Sequence, residues 1–149
     1  AMGAHSIEWT IILSAVDDDE MIAMALESVL PEGVEIECEN VKSHHGAPQK
    51  MFRSRLSRKR DIRGSMSLVH KGLWNSILGQ GIESRVDDSK FLHARLDLQK
   101  FVSGEHVLAS RSRSRHSVKL RIKIECYPGQ NIIDEATSLL NRYAKIDED

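Results

Sequence analysis

A chain of 149 residues that is 40 % hydrophobic is sized for one domain with a core of its own and leaves no room for a second full domain. Two cysteines, Cys38 and Cys126, are too few for a disulfide framework, and no apolar run approaches the ~20 residues of a membrane span, so the chain reads as cytoplasmic, with both thiols reduced and inside the core. The net charge of −1 conceals a segregated chain: residues 1–41 hold ten acids and no Lys or Arg, residues 42–123 hold 19 Lys plus Arg against six acids, and residues 124–149 hold six acids against two bases.

Residues 1–4 read as an expression remnant ahead of a single domain over 5–149, with no basic leader before the first strand. Over 7–15, Ile7, Trp9, Ile11, Leu13 and Ala15 alternate with Glu8, Thr10 and Ser14, which predicts a half-buried strand. Asp17, Asp18 and Asp19 supply an N-cap and first-turn carboxylates for a helix whose apolar positions are Met21, Ile22, Ala25, Leu26 and Val29. Pro31 and Gly33 end it. Over 34–40, Val34, Ile36 and Cys38 are expected inward and Glu35, Glu37 and Glu39 outward, a second strand with an acidic face.

Ser43-His44-His45-Gly46-Ala47-Pro48 reads as a loop, and Phe52, Ser54 and Leu56 then alternate with Arg53 and Arg55 as a third strand. From Arg58, the spacing of Ile62, Met66, Val69, Leu73 and Ile77 predicts one long amphipathic helix reaching Gly79 or Gly81. Leu92, Ala94 and Leu96 alternate with His93, Arg95 and Asp97 as a fourth strand. Val118, Leu120, Ile122, Ile124 and Cys126 alternate strictly with Lys119, Arg121, Lys123 and Glu125, the clearest strand in the chain. A last helix, capped by Asn131, carries Ile132, Ile133, Ala136, Leu139, Leu140 and Tyr143 on its apolar stripe. One-sided strands without strict βαβ alternation predict an α+β fold: a two-layer sandwich with a mainly antiparallel sheet packed by helices on one face.

Strand parity puts Lys119, Arg121 and Lys123 on one face, and Arg53, Arg55 and Arg95 on the open faces of their own strands. Arg58, Lys59, Arg60 and Arg63 open the long helix, and Arg111, Arg113 and Arg115 in the segment ASRSRSRHSVKLRIKIEC have the parity of the strand cations that follow. One cationic edge would run through both if the segment were extended. Such a footprint suits a polyphosphate backbone. Trp9, Phe52 and Trp74 are expected in the core, leaving Phe91, Phe101, Tyr127 and several His as candidate stackers, which favours phosphate and shape recognition of structured RNA over reading of unpaired bases. His44 and His45, beside Lys42 and Lys50, have no partner at metal-ligand spacing and read as surface donors. No nucleophile elbow, P-loop, dinucleotide fingerprint or HExxH is present, so the residues make no case for an enzyme, a metal or a cofactor.

Ser14-Ala15-Val16-Asp17-Asp18, the 43–48 loop, Arg85-Val86-Asp87, and Arg95-Leu96-Asp97-Leu98-Gln99 with Gly104 together resemble a family of archaeal RNA-binding proteins predicted to be exosome subunits, with a fold similar to the large-subunit ribosomal protein that binds 5S RNA. The family's loop has the form Gly-His-Tyr-Gly-Asn-Pro, of which His44, Gly46 and Pro48 persist. Leu98 stands at its motif lysine, with Lys100 nearby. The resemblance implies RNA as ligand, a link to RNA-processing machinery, no cofactor, and Gln99 and Lys100 beside the basic residues as RNA contacts. The competing expectation is an interaction module whose acidic and basic segments meet oppositely charged proteins, or each other in a homodimer.

Overall fold

A computed structural model describes residues 3–110 and 117–144. It is an α+β fold with a five-stranded, wholly antiparallel sheet in the order β2-β3-β1-β5-β4, from β1 (Ala4–Ser14), β2 (Glu37–Lys42), β3 (Pro48–Leu56), β4 (Phe91–Asp97) and β5 (Ser117–Ile124). The helices α1 (Asp19–Glu27), α2 (Lys59–Leu68), α3 (Lys71–Gln80), α4 (Leu98–Val102) and α5 (Ile132–Ala144) complete it. Helices α2, α4 and α5 lie over β1, β4 and β5, while α1 packs on α4 and α3 on α5. The face they cover is the expected apolar one, with Ile7, Trp9, Ile11, Leu13, Val118, Leu120 and Ile122 all buried.

Burial at this centre carries a polar relay. Trp9 is fully buried at 6.1 Å from the Phe101 ring, its Nε1 donates to Ser65 Oγ at 3.0 Å, and Ser65 Oγ donates to the Val29 carbonyl at 2.6 Å. One serine thereby satisfies the indole N–H and an orphan carbonyl beyond the end of α1, as buried polar groups require. Gly64 lets α2 come this close: a Cβ there would stand 2.8 Å from Pro31 Cγ.

Five expectations are corrected. The second strand begins later than residue 34, and Cys38 is exposed rather than inward. Its parity is right, since it pairs with buried Phe52, but β2 is the sheet edge, and all its residues except the partly buried Val41 are exposed. The single long helix is two, broken where Val69 and His70 turn extended with ψ of 139° and 136°. Side chains take over the backbone groups freed there: His70 N donates to His106 Nδ1 at 2.9 Å and Trp74 Nε1 to the Met66 carbonyl at 3.2 Å. Phe101, expected as a stacker, is 1 % exposed. It belongs to α4, which periodicity missed because it is barely one turn, held at its start by Asp97 accepting from Lys100 N. Finally, Met21 is exposed, with Met24, while Ile22, Ala25 and Leu26 carry the buried side of α1.

The helix break depends on a neutral imidazole. His106 stacks on His70 with ring centroids 4.0 Å apart, and burial together with the His70 ring lowers its pKa from 6.5 to about 4. Between those values the unfolded chain binds a proton that the folded chain refuses, so stability declines as pH falls from about 6.5 to 4. Urea midpoints measured across this window should therefore drop more steeply in the native chain than in H106N, whose amide oxygen accepts the same bond without titrating. Equal slopes would exclude His106 as a source of the acid sensitivity.

Candidate nucleic-acid interface

Cross-strand register assembles the strand cations on the face opposite the helices. One row reads Glu37, Arg53, Thr10, Lys119, Arg95 across all five strands, and the next reads Arg55, Glu8, Arg121, His93. A third pairs Ser6 with Lys123 and Lys123 with Phe91. The six cations expected on open strand faces thus share one face, with side chains in register about 5 Å apart.

Countercharge is distributed unevenly over that face. At the β2 edge, Arg53 Nη2 is 3.3 Å from Glu37 and 3.6 Å from Glu39, and centrally Arg121 Nε is 3.9 Å from Glu8. Arg55, Arg95 and Lys119 have no ion-pair partner among the described residues. Lys119 and Arg95 stand directly opposite each other on β5 and β4. Like charges in that position cost stability. The uncompensated cations therefore concentrate on the half of the face formed by β5 and β4, whose outer edge is partly bridged by residues 107–109 through Asp97 N to Val107 O and Ala109 N to Arg95 O.

Two groups absent from the sequence-level candidates belong to this half. His93 is in register with Arg121, and its Nε2 lies 2.7 Å from Asp87 Oδ2. That bond, with backbone N–H groups of Phe91 and Ser89, lowers the Asp87 pKa to about 2. Asp87 so fixes the turn into β4, where Lys90 adopts φ +70°. Arg85, on the 3₁₀ turn Glu83–Arg85, donates to Gln80 Oε1 at 2.8 Å and reaches the His93 carbonyl at 3.5 Å. The parity of His93 with Arg95 was visible in the sequence; the approach of Arg85 was not.

Other candidates fall elsewhere. Lys42 and Lys50 have the parity of the helix-covered face at the β2–β3 edge, and Lys50 pairs at 2.7 Å with Asp19, which holds the lysine pKa up and the carboxylate pKa down. Lys59 is taken by Glu125 and by the Ala4 carbonyl, tying α2 to the sheet and lowering the Glu125 pKa. Arg58, Arg60 and Arg63 are exposed at the start of α2, in the helical layer. His44 and His45 are exposed, 5.5 Å apart edge-on, in the 43–47 hairpin loop that Gly46 closes with φ +84°. That loop, the end of β1 and the exposed Gln99 and Lys100 of α4 share one end of the sheet, away from Phe91. Arg111, Arg113 and Arg115, with the cationic edge expected of them, lie outside the described residues.

Part of the acidic N-terminal segment is a partner of the basic one within the chain, through Asp19–Lys50, Glu37–Arg53, Glu39–Arg53 and Glu8–Arg121. No group of three or more His, Cys, Asp or Glu among the described residues is placed to hold a metal ion, and no described helix is long and apolar enough to cross a membrane.

A family model described as RNA binding matches residues 6–124. The chain is 27 % identical over 134 residues to RNA-binding protein PAB1135 of Pyrococcus abyssi (strain GE5 / Orsay), covering 84 % of each chain. Among solved structures it superposes on Mth689, a DUF54 protein from Methanothermobacter thermautotrophicus, with TM-score 0.72 and 28 % identity over 97 % of this chain and 100 % of that one. AF2318 from Archaeglobus fulgidus shares the fold with TM-score 0.74 at 22 % identity, over 93 % and 99 % of the two chains.

Proposed function

We propose that this chain, which belongs to the RNA-binding family, is a non-enzymatic protein that holds structured RNA by its phosphates across the β4–β5 half of the open sheet face. The observation that carries the reading is the register pair Lys119–Arg95, two cations in direct cross-strand opposition with no counter-ion among the described residues. Such a pair is unfavourable in the free protein and is compensated when a polyanion lies across it. Arg121 and Lys123 extend the same strip, and His93 and Arg85 add hydrogen-bond donors at its edge. The exposed His44, His45, Gln99 and Lys100 at one end of the sheet, and Arg58 and Arg60 at the start of α2, are secondary contacts in this reading.

The name of the Pyrococcus abyssi relative supports RNA as the ligand. Placement beside exosome or other RNA-processing proteins rests on the motif resemblance alone. A homodimer joined by acidic and basic segments has less to draw on, because part of the acidic segment already pairs with the basic one inside one chain.

The test is a titration of an RNA hairpin at increasing salt. Affinity should fall linearly in log–log form, with a slope of about −0.9 for each phosphate neutralised. A binding curve unchanged between low and physiological salt, or no binding at any salt, would overturn the reading.

A further inference from the structure

Phe91 is half-buried on the open face at the start of β4, and two cations converge on its ring: Arg121 Cζ at 4.0 Å from the centroid and Lys123 Nζ at 4.6 Å. Four ångströms is contact distance, so nothing fits between ring and guanidinium. Lys123 is anchored away from carboxylates, donating to the Ser89 carbonyl at 2.6 Å. The nearest acid to Arg121 is Glu8 at 3.9 Å, too long for a hydrogen bond, and the arginine side chain is 44 % exposed. Its guanidinium therefore rests on an aromatic support instead of being held by its N–H edge. His93 completes the cluster at 6.3 Å from the Phe91 ring, held by Asp87.

An arginine supported this way exposes a flat, cationic, weakly hydrated surface, the kind on which an unpaired nucleobase stacks. One row further along β5 and β4, about 7 Å away by strand geometry, Lys119 and Arg95 wait for phosphate. Resting on the reading that this face binds RNA, we propose that the Phe91–Arg121 stack is a platform for one unpaired nucleobase of a structured RNA, such as a bulged nucleotide, with Arg121 as the stacking plane and Phe91 as its positioning residue. The scarcity of open-face aromatics had pointed to phosphate and shape recognition alone; here the stacking surface is an arginine backed by the one phenylalanine the face possesses.

The experiment compares three RNA hairpins that differ only in the stem: fully paired, with a single bulged nucleotide, and with an abasic residue at the same bulge. The native chain should bind the bulged hairpin about tenfold more tightly than the paired one, within what one stacked base contributes, and the abasic bulge no better than the paired stem. R121K keeps the charge but not the plane, and F91L keeps apolar packing but not the ring. Each should bring the bulged-to-paired ratio close to one, with folding checked by urea midpoint. Equal affinity of the native chain for bulged and paired hairpins, an abasic bulge bound as tightly as the intact one, or a ratio untouched by R121K would overturn the inference and leave phosphate binding standing. Failure to bind any of the three would instead remove the RNA-binding reading beneath it.

Discussion

Replacing Trp9 by alanine is expected to destabilise the fold by about 3–5 kcal/mol, the range for truncating a buried tryptophan. Trp9 occupies the central strand, is fully buried and packs against Phe101, so β1 has no neighbour free to collapse into the space. The loss also strips Ser65 Oγ of the indole N–H it accepts, leaving only its own donation to the Val29 carbonyl. Against a typical total of roughly 5–15 kcal/mol, this is a large share. With a urea dependence near 2 kcal/mol per molar, the midpoint should drop by roughly 2 M at unchanged slope. W9F, which retains much of the volume and loses the N–H, should fall between the two. A W9A midpoint within 0.5 M (an estimate of about 1 kcal/mol on the same scale) of the native one would mean that the sheet centre repacks and that Trp9 is not the keystone its burial implies.

The second large effect concerns RNA. Substituting alanine at Arg55, Arg95 and Lys119, the strand cations without ion-pair partners among the described residues, should lower affinity for an RNA hairpin on the order of 100-fold at physiological salt and flatten the log–log salt slope by about 2–3, close to one phosphate for each charge removed. Stability should hold or rise slightly, because the substitutions remove the Lys119–Arg95 opposition. That opposite movement of affinity and stability separates a binding surface from an ordinary solvated face. Binding and salt slope both unchanged would place the RNA elsewhere; the same three-fold removal at Arg58, Arg60 and Arg63 then measures the start of α2 as the alternative.

Alternation and helical spacing carry far in this chain because they are local. Trp9, Ile11 and Leu120 are buried, Lys119 and Arg121 point away from the helices, and Asn131 caps α5 through Oδ1 to the N–H groups of Ile133 and Asp134, all as side-chain period and capping chemistry dictate. The α+β architecture follows from the same one-sidedness. Periodicity erred where it had no non-local information. Cys38 has the parity of a core residue but sits on an exposed edge strand, and the helix spacing from Ile62 to Ile77 survives a two-residue interruption whose backbone is satisfied by His106, distant in sequence.

The basic residues show the same division. Their parity, and so the face each one takes, could be read along each strand, whereas the strand order β2-β3-β1-β5-β4 was a matter of long-range pairing. That order sets Glu37 and Glu39 against Arg53, returning part of the N-terminal acidity to the basic segment, and brings Lys119 and Arg95, without ion-pair partners among the described residues, beside Arg121 and Phe91 at the other side of the sheet. Composition fixed how many charges the chain carries; only the folding of strands beside one another decided which of them cancel, since Coulomb interactions and cross-strand contacts depend on separation in space and not along the chain.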